Sequence, residues 1–186
     1  ITNYRKNKAL ILSFLSFTIC FAVWTIFSII GIRIKKELGL TETQFGLLIS
    51  TPVLTGSLIR LILGIWSDQY GGRVVFTFVM LFASLSTWLL TFADSYVTYL
   101  LSALCIGVAG GSFAVGIAYV SVWFPQNQQG TALGIYGMGN VGAAITNLFA
   151  PILLVSFGWH VVAKVYSVVL FFTAILFYYF SETDPK

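Results

Sequence analysis

Six long apolar stretches run through the chain, and a short polar segment separates each from the next. A helix needs about 20 apolar residues to cross the roughly 30 Å hydrocarbon core of a bilayer. The pattern therefore predicts an all-α membrane protein with six membrane-spanning helices. We place these spans at 9–30, 44–66, 74–92, 96–123, 130–157 and 161–180.

The polar segments between the spans carry the helix boundaries. We expect Gly31–Thr43, which holds charges of both signs, to be a loop. Thr41 and Gln44 have the spacing of a capping box, which indicates that the second helix begins there. Pro52 predicts a kink in the first half of that helix. The very short Asp94–Ser95 turn predicts that spans three and four are antiparallel neighbours.

Composition excludes a water-soluble domain, because 58% of the residues are hydrophobic and only 9% are charged. The net charge of +4 is spread over the helix ends and gives no reason to expect nucleic acid as a partner. Cys20 and Cys105 both lie in apolar spans, where we interpret them as small buried side chains. No metal, cofactor or disulfide is predicted. The spans contain no nucleophile–base pair, so we do not expect an enzyme.

Arg60 is the one charged residue inside the apolar run 47–66. A charge at the centre of a bilayer costs about 2.5–3.5 kcal/mol on insertion scales, so it normally has a partner. No carboxylate of the chain lies at that depth. All six fall at or beyond a predicted helix end: Glu37, Glu42, Asp68, Asp94, Glu182 and Asp184.

Two interpretations of Arg60 are open. The side chain can extend along the helix to the interface near Trp66, which is six residues away. Alternatively, the guanidinium faces water or an anion that is not part of this chain. An ionisable residue inside a membrane is a functional-site hypothesis by default.

The end of the second span and the segment after it have the pattern G-x-x-x-D-x-x-G-x-R, formed by Gly64, Asp68, Gly71 and Arg73. It resembles the loop signature of the major facilitator superfamily. The resemblance implies a cytoplasmic N-terminus in the cell membrane and a twelve-helix transporter built of two six-helix halves, of which this chain is the first. Positive charges alone decide the orientation only weakly, at five against four. Asp68 can accept hydrogen bonds from a helix N-terminus or an arginine, which would form a charge latch at the membrane surface.

The fifth span is unusually rich in glycine. Small residues four positions apart let helix backbones approach closely in a membrane, and we expect such packing at Gly130/Gly134, Gly139/Ala143, Gly107/Gly111 and Gly110/Ala114. Packing does not account for Asn140, a polar amide in the same cluster. Its NH₂ group can make an interhelical hydrogen bond or donate to an oxyanion.

Three motifs are similar to those of the nitrate/nitrite porter family. They are Gly134-x-x-Gly137-x-Gly139-Asn140-x-Gly142, Gly107-Val-Ala-Gly110-Gly111-Ser-Phe113 and Pro52-Val-Leu-Thr55-Gly56-Ser-Leu-Ile-Arg60. The resemblance implies that Arg60 is the substrate arginine, that Asn140 is the signature asparagine and that Phe113 is a pocket aromatic. Gly137 and Gly139 belong to the same substrate-binding signature. It also implies a second substrate arginine in the missing C-terminal half.

We therefore expect one half of a transporter that moves nitrate or nitrite by alternating access, with protons as a candidate coupling ion. Proton symport and nitrate/nitrite exchange stay open. Two rivals also stay open: a transporter of another small anion, and a membrane scaffold or receptor that transports nothing.

Overall fold

The computed structural model describes residues 2–185, which form helices joined by short turns, without strands. Six helical runs are long and apolar enough to cross a membrane: 3–38, 42–70, 72–90, 96–121, 126–157 and 159–180. The predicted fold class is confirmed. In chain order the α-helices are α1 Asn3–Trp24, α2 Phe27–Leu38, α3 Glu42–Tyr70, α4 Gly72–Leu90, α5 Tyr96–Ile106, α6 Ser112–Ser121, α7 Gln126–Gly137, α8 Val141–Phe157 and α9 Trp159–Phe180.

The first loop is much shorter than predicted. Most of the segment 31–43 belongs to α2, and only Gly39–Thr41 separates α2 from α3. The prediction was wrong because the charged residues of this segment lie on the outer face of an amphipathic helix. The other face of that helix is buried through Phe27, Ile30 and Ile34. Gly39 ends α2 with a φ of +62°, a left-handed conformation that favours glycine.

Two other boundaries follow from local chemistry. The predicted capping box is present: Thr41 Oγ1 accepts from the Gln44 amide at 3.2 Å, and Gln44 Oε1 accepts from the Thr41 amide at 3.0 Å. The loop predicted at 67–73 shrinks to Gly71, whose φ of +90° lets α4 begin directly after α3.

The fourth and fifth spans are each interrupted halfway by a 3₁₀ segment, at Gly107–Gly111 and at Met138–Asn140. Such mid-helix stretches often mark functional or strained positions. By contrast, α3 continues through Pro52.

A close helix contact joins α3 to the 3₁₀ segment of the fourth span. A Cβ atom on Gly107 would lie 2.6 Å from Thr55 Cβ and 2.8 Å from the Pro52 carbonyl oxygen, and one on Gly111 would lie 2.3 Å from Leu63 Cδ1. Only glycine permits this approach. We call this contact, with Gly56, Gly107, Gly110 and Gly111, the central seam.

The fifth span shows both kinds of glycine environment. A Cβ atom on Gly142 would lie 2.2 Å from the Thr18 carbonyl oxygen, so α8 packs directly on α1. At Gly130, Gly134 and Gly137, no atom of a neighbouring element in residues 2–185 lies within 4 Å of the Cβ position. The packing predicted for Gly130/Gly134 is therefore wrong within this chain. Together with Gly64 on α3, which is equally open, these glycines define what we call the open face.

Candidate functional site

Arg60 lies ten residues before the end of α3, and its side chain turns toward the fourth span. Its Nε donates a hydrogen bond to the Gly110 carbonyl oxygen at 3.2 Å. This orientation differs from an extension toward Trp66 and so disfavours the snorkelling interpretation. Among the residues described, no carboxylate oxygen lies within 4.0 Å of the guanidinium.

Two aromatic rings flank the Arg60 guanidinium. Its Cζ lies 5.3 Å from the centre of the Phe113 ring and 5.7 Å from the centre of the Trp24 indole. A cation near an aromatic face is attracted by the ring quadrupole. The terminal nitrogens make no hydrogen bond to any residue in 2–185, so their N–H groups remain available to a ligand.

Phe113 is held by a stack of aromatic side chains. Phe17 lies 5.7 Å from Phe113 and 4.8 Å from Tyr136, measured between ring centres. The Tyr136 hydroxyl donates to the Ser112 carbonyl oxygen at 2.7 Å, and the whole Tyr136 side chain is buried. The first, fourth and fifth spans thus jointly fix the ring beside Arg60.

The signature residues of the fifth span divide into two environments. Gly139 is buried under Phe17, where a Cβ atom would lie 2.3 Å from Phe17 Cδ1. The side chain of Asn140 is exposed and donates to the Gly137 carbonyl oxygen of its own span at 2.8 Å. No hydrogen bond joins Asn140 to Arg60 in the part of the chain that the structure describes.

The loop motif is arranged around the start of α4. The Asp184 carboxylate, and not that of Asp68, accepts from the Gly72 and Arg73 amides, at 2.8 Å and 3.4 Å. Arg73 donates to the Tyr178 carbonyl oxygen, with Nε at 3.1 Å. Asp68 is exposed and makes no side-chain hydrogen bond or ion pair within 2–185. The latch role of Asp68 stays a prediction.

Sequence reasoning missed Trp24, Phe17, Tyr136 and Asp184 as site or loop residues. Trp24 carries the clearest signal. Most tryptophans of this chain fall near the ends of predicted spans, as an interfacial belt would require, whereas Trp24 lies inside the first predicted span. A tryptophan at that depth needs a partner for its indole N–H, and here the partner is a backbone carbonyl on α3.

Comparison with known proteins finds a matching family and several similar sequences. Residues 12–186 match the Major Facilitator Superfamily. The chain is 41% identical to a probable nitrate/nitrite antiporter, NarK1, of Thermus thermophilus, over 97% of this chain and 44% of that protein. It is 28% identical to the nitrite extrusion protein of Bacillus subtilis strain 168, over 98% and 46%. It is 30% identical to the probable nitrate transporter NarT of Staphylococcus carnosus, over 92% and 45%.

Solved structures support the fold alone. A bacterial homologue of the human lysosomal transporter Spinster, in an inward-facing and unoccupied conformation, superposes with a TM-score of 0.87 at 19% identity. The match covers 100% of this chain and 45% of that one. The chain therefore spans about half the length of the relatives it matches.

The family match covers nearly the whole chain, and the predicted resemblance to the superfamily is confirmed. The superfamily consists of transporters, so the expectation that the chain is not an enzyme is confirmed as well. The six apolar helices make it a multi-pass membrane protein. The chain belongs to the major facilitator superfamily, and the relatives it matches are named as transporters of nitrate or nitrite.

Proposed function

We propose that this chain forms the N-terminal half of a transporter that moves nitrate or nitrite by alternating access, with Arg60 binding the anion. The observation that carries the proposal is the Arg60 guanidinium, which lies beside Trp24 and Phe113 and has no carboxylate partner among the described residues. The names of the relatives supply the substrate class. A small anion would neutralise the charge that the described residues leave unpaired.

The hydrogen bonds of Arg60 suggest how it would hold the ion. Nε is engaged by the Gly110 carbonyl, so the edge formed by Nε and one terminal nitrogen is partly used. The edge formed by the two terminal nitrogens offers two parallel N–H donors in one plane. That fork matches two oxygen atoms of a planar oxyanion, which a lysine ammonium cannot do. The Phe113 ring would cover a face of the bound ion.

The other half of the site belongs to a second six-helix unit in this proposal. The second and fifth spans bury the least of their apolar stretch, 22% and 17%, against 39–56% for the other spans. These are the spans that carry the open face, and the second unit would cover them. It would also supply the second substrate arginine that the family resemblance implies.

The remaining signature residues fit the same proposal. Only one hydrogen bond of the Asn140 NH₂ group is accounted for, so the group retains an N–H that can donate to an anion. Gly137 has open space beside it, which leaves its backbone accessible. Gly139 would act through packing, by letting Phe17 and Phe113 approach the site. The N-terminus would be cytoplasmic, and Asp68 would form its latch with the second unit.

The direct test is Arg60→Lys in the full-length protein. Lysine keeps the charge but loses the fork, and hydrogen bonds to a charged group are worth about 1.5–3 kcal/mol each. We expect the free energy of nitrate binding, measured by calorimetry on the detergent-purified protein, to weaken by about 1.5–3 kcal/mol. Arg33→Lys, at an exposed position on α2, is the matched control and should leave affinity unchanged. Wild-type nitrate affinity in both Arg60→Lys and Arg60→Gln would remove Arg60 from the site.

Competition separates the rival cargoes. Nitrate and nitrite should displace each other, whereas chloride and formate should not displace nitrate at equal concentration. Uptake of nitrate into liposomes by the full-length protein distinguishes a transporter from a scaffold or receptor. Uptake in the presence of a proton gradient, or of nitrite on the opposite side, separates proton symport from exchange.

A further inference from the structure

We propose that Trp24 is a positioning residue that fixes the orientation of the Arg60 guanidinium for anion binding. The inference rests on the proposed role of Arg60 and extends it to a residue of the first span. Trp24 would not touch the anion. It would set the direction in which the free edge of Arg60 points.

The indole of Trp24 occupies a notch between the second and fourth spans, and that notch exists because two residues lack a side chain. A Cβ atom on Gly56 would lie 2.9 Å from Trp24 Nε1, and one on Gly110 would lie 2.6 Å from Trp24 Cε2. Contacts this short do not occur between real side chains. The ring therefore lies directly on the backbones of both helices.

A hydrogen bond sets the ring in one orientation within the notch. Trp24 Nε1 donates to the Pro52 carbonyl oxygen at 2.9 Å. Pro52 lies eight residues before Arg60 on α3, so the first span is tied to the same helix that carries the arginine. Phe21 supports the indole from its own helix, with ring centres 5.2 Å apart in an edge-to-face arrangement.

The same notch determines where Arg60 can lie. Gly110 contacts the indole and also provides the carbonyl that accepts from Arg60 Nε. Both the Trp24 ring and the Phe113 ring lie beside the guanidinium, with ring centres 5.7 Å and 5.3 Å from its Cζ. Removal of the indole would take away an aromatic ring beside the guanidinium, together with the hydrogen bond from Trp24 Nε1 to the Pro52 carbonyl. The guanidinium would then be free to turn its terminal nitrogens away from the site.

A purely structural role for Trp24 predicts something different. If the indole only fills space between helices, its replacement should weaken folding and binding alike, whatever residue stands at position 60. A positioning role predicts that the effect on nitrate depends on the fork of Arg60. The two roles can therefore be separated by a double-mutant cycle.

The experiment measures nitrate affinity by calorimetry in the full-length protein for Trp24→Phe, Arg60→Lys and the double variant. Phenylalanine keeps an aromatic ring but loses the indole N–H and the larger π-face. Because this substitution weakens the cation–π contact and removes the hydrogen bond to the Pro52 carbonyl, we expect Trp24→Phe to weaken nitrate binding about fivefold. In the Arg60→Lys background, the same substitution should change affinity by less than about twofold, because lysine has no fork to orient.

Trp88→Phe is the matched control, because Trp88 lies on α4 with the Lys164 ammonium 5.9 Å from its ring. It should leave nitrate affinity unchanged in both backgrounds. If Trp24→Phe does not yield a monodisperse protein, Trp24→Tyr carries the same cycle. Equal losses in both backgrounds, or no loss in either, would overturn the positioning role. If Arg60→Lys alone binds nitrate as the wild type does, the fork has no role and the positioning role is overturned. If Arg60→Gln does so as well, the proposed role of Arg60 in binding fails.

Discussion

The central seam and the open face have the same kind of sequence but opposite environments. In the seam, glycines of the second and fourth spans lie against neighbouring backbone and side chains. A Cβ atom on any of them would lie only 2.3–3.0 Å from the nearest atoms of its neighbours. On the open face, no atom of a neighbouring element in residues 2–185 lies within 4 Å of the Cβ positions of Gly64, Gly130, Gly134 and Gly137. A four-residue glycine spacing therefore indicates that another helix can approach closely. It does not indicate which helix does so.

The physical reason lies in what a membrane helix gains from packing. Within a bilayer, helix association rests on van der Waals contact and hydrogen bonds, since lipid chains are as apolar as the side chains they replace. A glycine with no neighbour contributes neither, and it costs about 1 kcal/mol of helix propensity relative to alanine in water. Glycines kept on an exposed face suggest a partner outside residues 2–185. In our proposal that partner is the second six-helix unit.

The largest expected effect comes from filling the seam. Gly107→Leu would force a side chain into Thr55 and the Pro52 carbonyl, and overpacking of this kind costs about 1–3 kcal/mol or more. We expect the variant of the full-length protein to lose its unfolding transition in detergent or to melt well below the wild type. Thermal unfolding monitored by circular dichroism measures this.

Gly134→Leu is the counterpart on the open face. It should insert and keep the helical content and melting behaviour of the six-helix unit, because no atom of that unit stands in its way. Its transport activity in liposomes then tests the partner. Loss of transport with normal insertion would support contact with the second unit, whereas normal transport would mean that this face meets lipid. A destabilisation equal to that of Gly107→Leu would contradict the comparison itself.

A smaller effect is expected at the junction of α3 and α4. Asp184 accepts from the first two amides of α4, so Asp184→Ala should cost about 1 kcal/mol of stability, as the loss of a helix cap does.

Asp68 lies one helical turn after Gly64 and has no partner in the described chain. Asp68→Asn should therefore leave the melting temperature unchanged, slow transport, and keep nitrate affinity within a few-fold of the wild type.

Thermal unfolding, uptake rates and calorimetry on both variants test whether Asp184 caps α4 and Asp68 acts in transport. The opposite pattern, with Asp68→Asn destabilising and Asp184→Ala silent, would exchange the roles of the two carboxylates. A large loss of nitrate binding in Asp68→Asn with unchanged uptake kinetics would exclude the latch.

The smallest expected effect concerns Glu182, which lies after α9 and pairs with Arg5. Glu182 accepts a hydrogen bond from the Arg5 guanidinium, which holds the pKa of the Glu182 carboxyl below its usual value. A lowered pKa in the folded state contributes stability above the usual value of about 4.3, and this stability is lost as the pH falls through the lowered pKa. Because the pair is exposed to solvent, the contribution should be slight.

Melting temperatures of the wild type and Glu182→Gln across this pH range measure the contribution. The two proteins should differ above about pH 5 and converge in acid, below the lowered pKa. Arg5→Gln should remove the difference at every pH. A gap between wild type and Glu182→Gln that widens in acid would contradict the assigned sign.

The sequence by itself determined the class of protein, the number of spans and the family. Length and apolarity are sufficient for the spans, because a bilayer core demands about 20 apolar residues of any helix that crosses it. The G-x-x-x-D-x-x-G-x-R pattern and the capping box at Thr41 are local signals, and they needed no knowledge of the fold. The sequence also singled out Arg60, since a charge in an apolar run is costly wherever the helix lies.

Only the tertiary structure decided what surrounds each of these residues. The loop at 31–43 turned out to be helical because charges on one face of a helix are compatible with burial of the other. Trp24 became part of the site only when the first span was placed on Gly56 and Gly110. Asp184 took the helix cap because the end of the chain returns to α4, more than 100 residues from the cap it provides. Contacts of this kind join distant segments, and neither spacing nor local propensity specifies which segments meet.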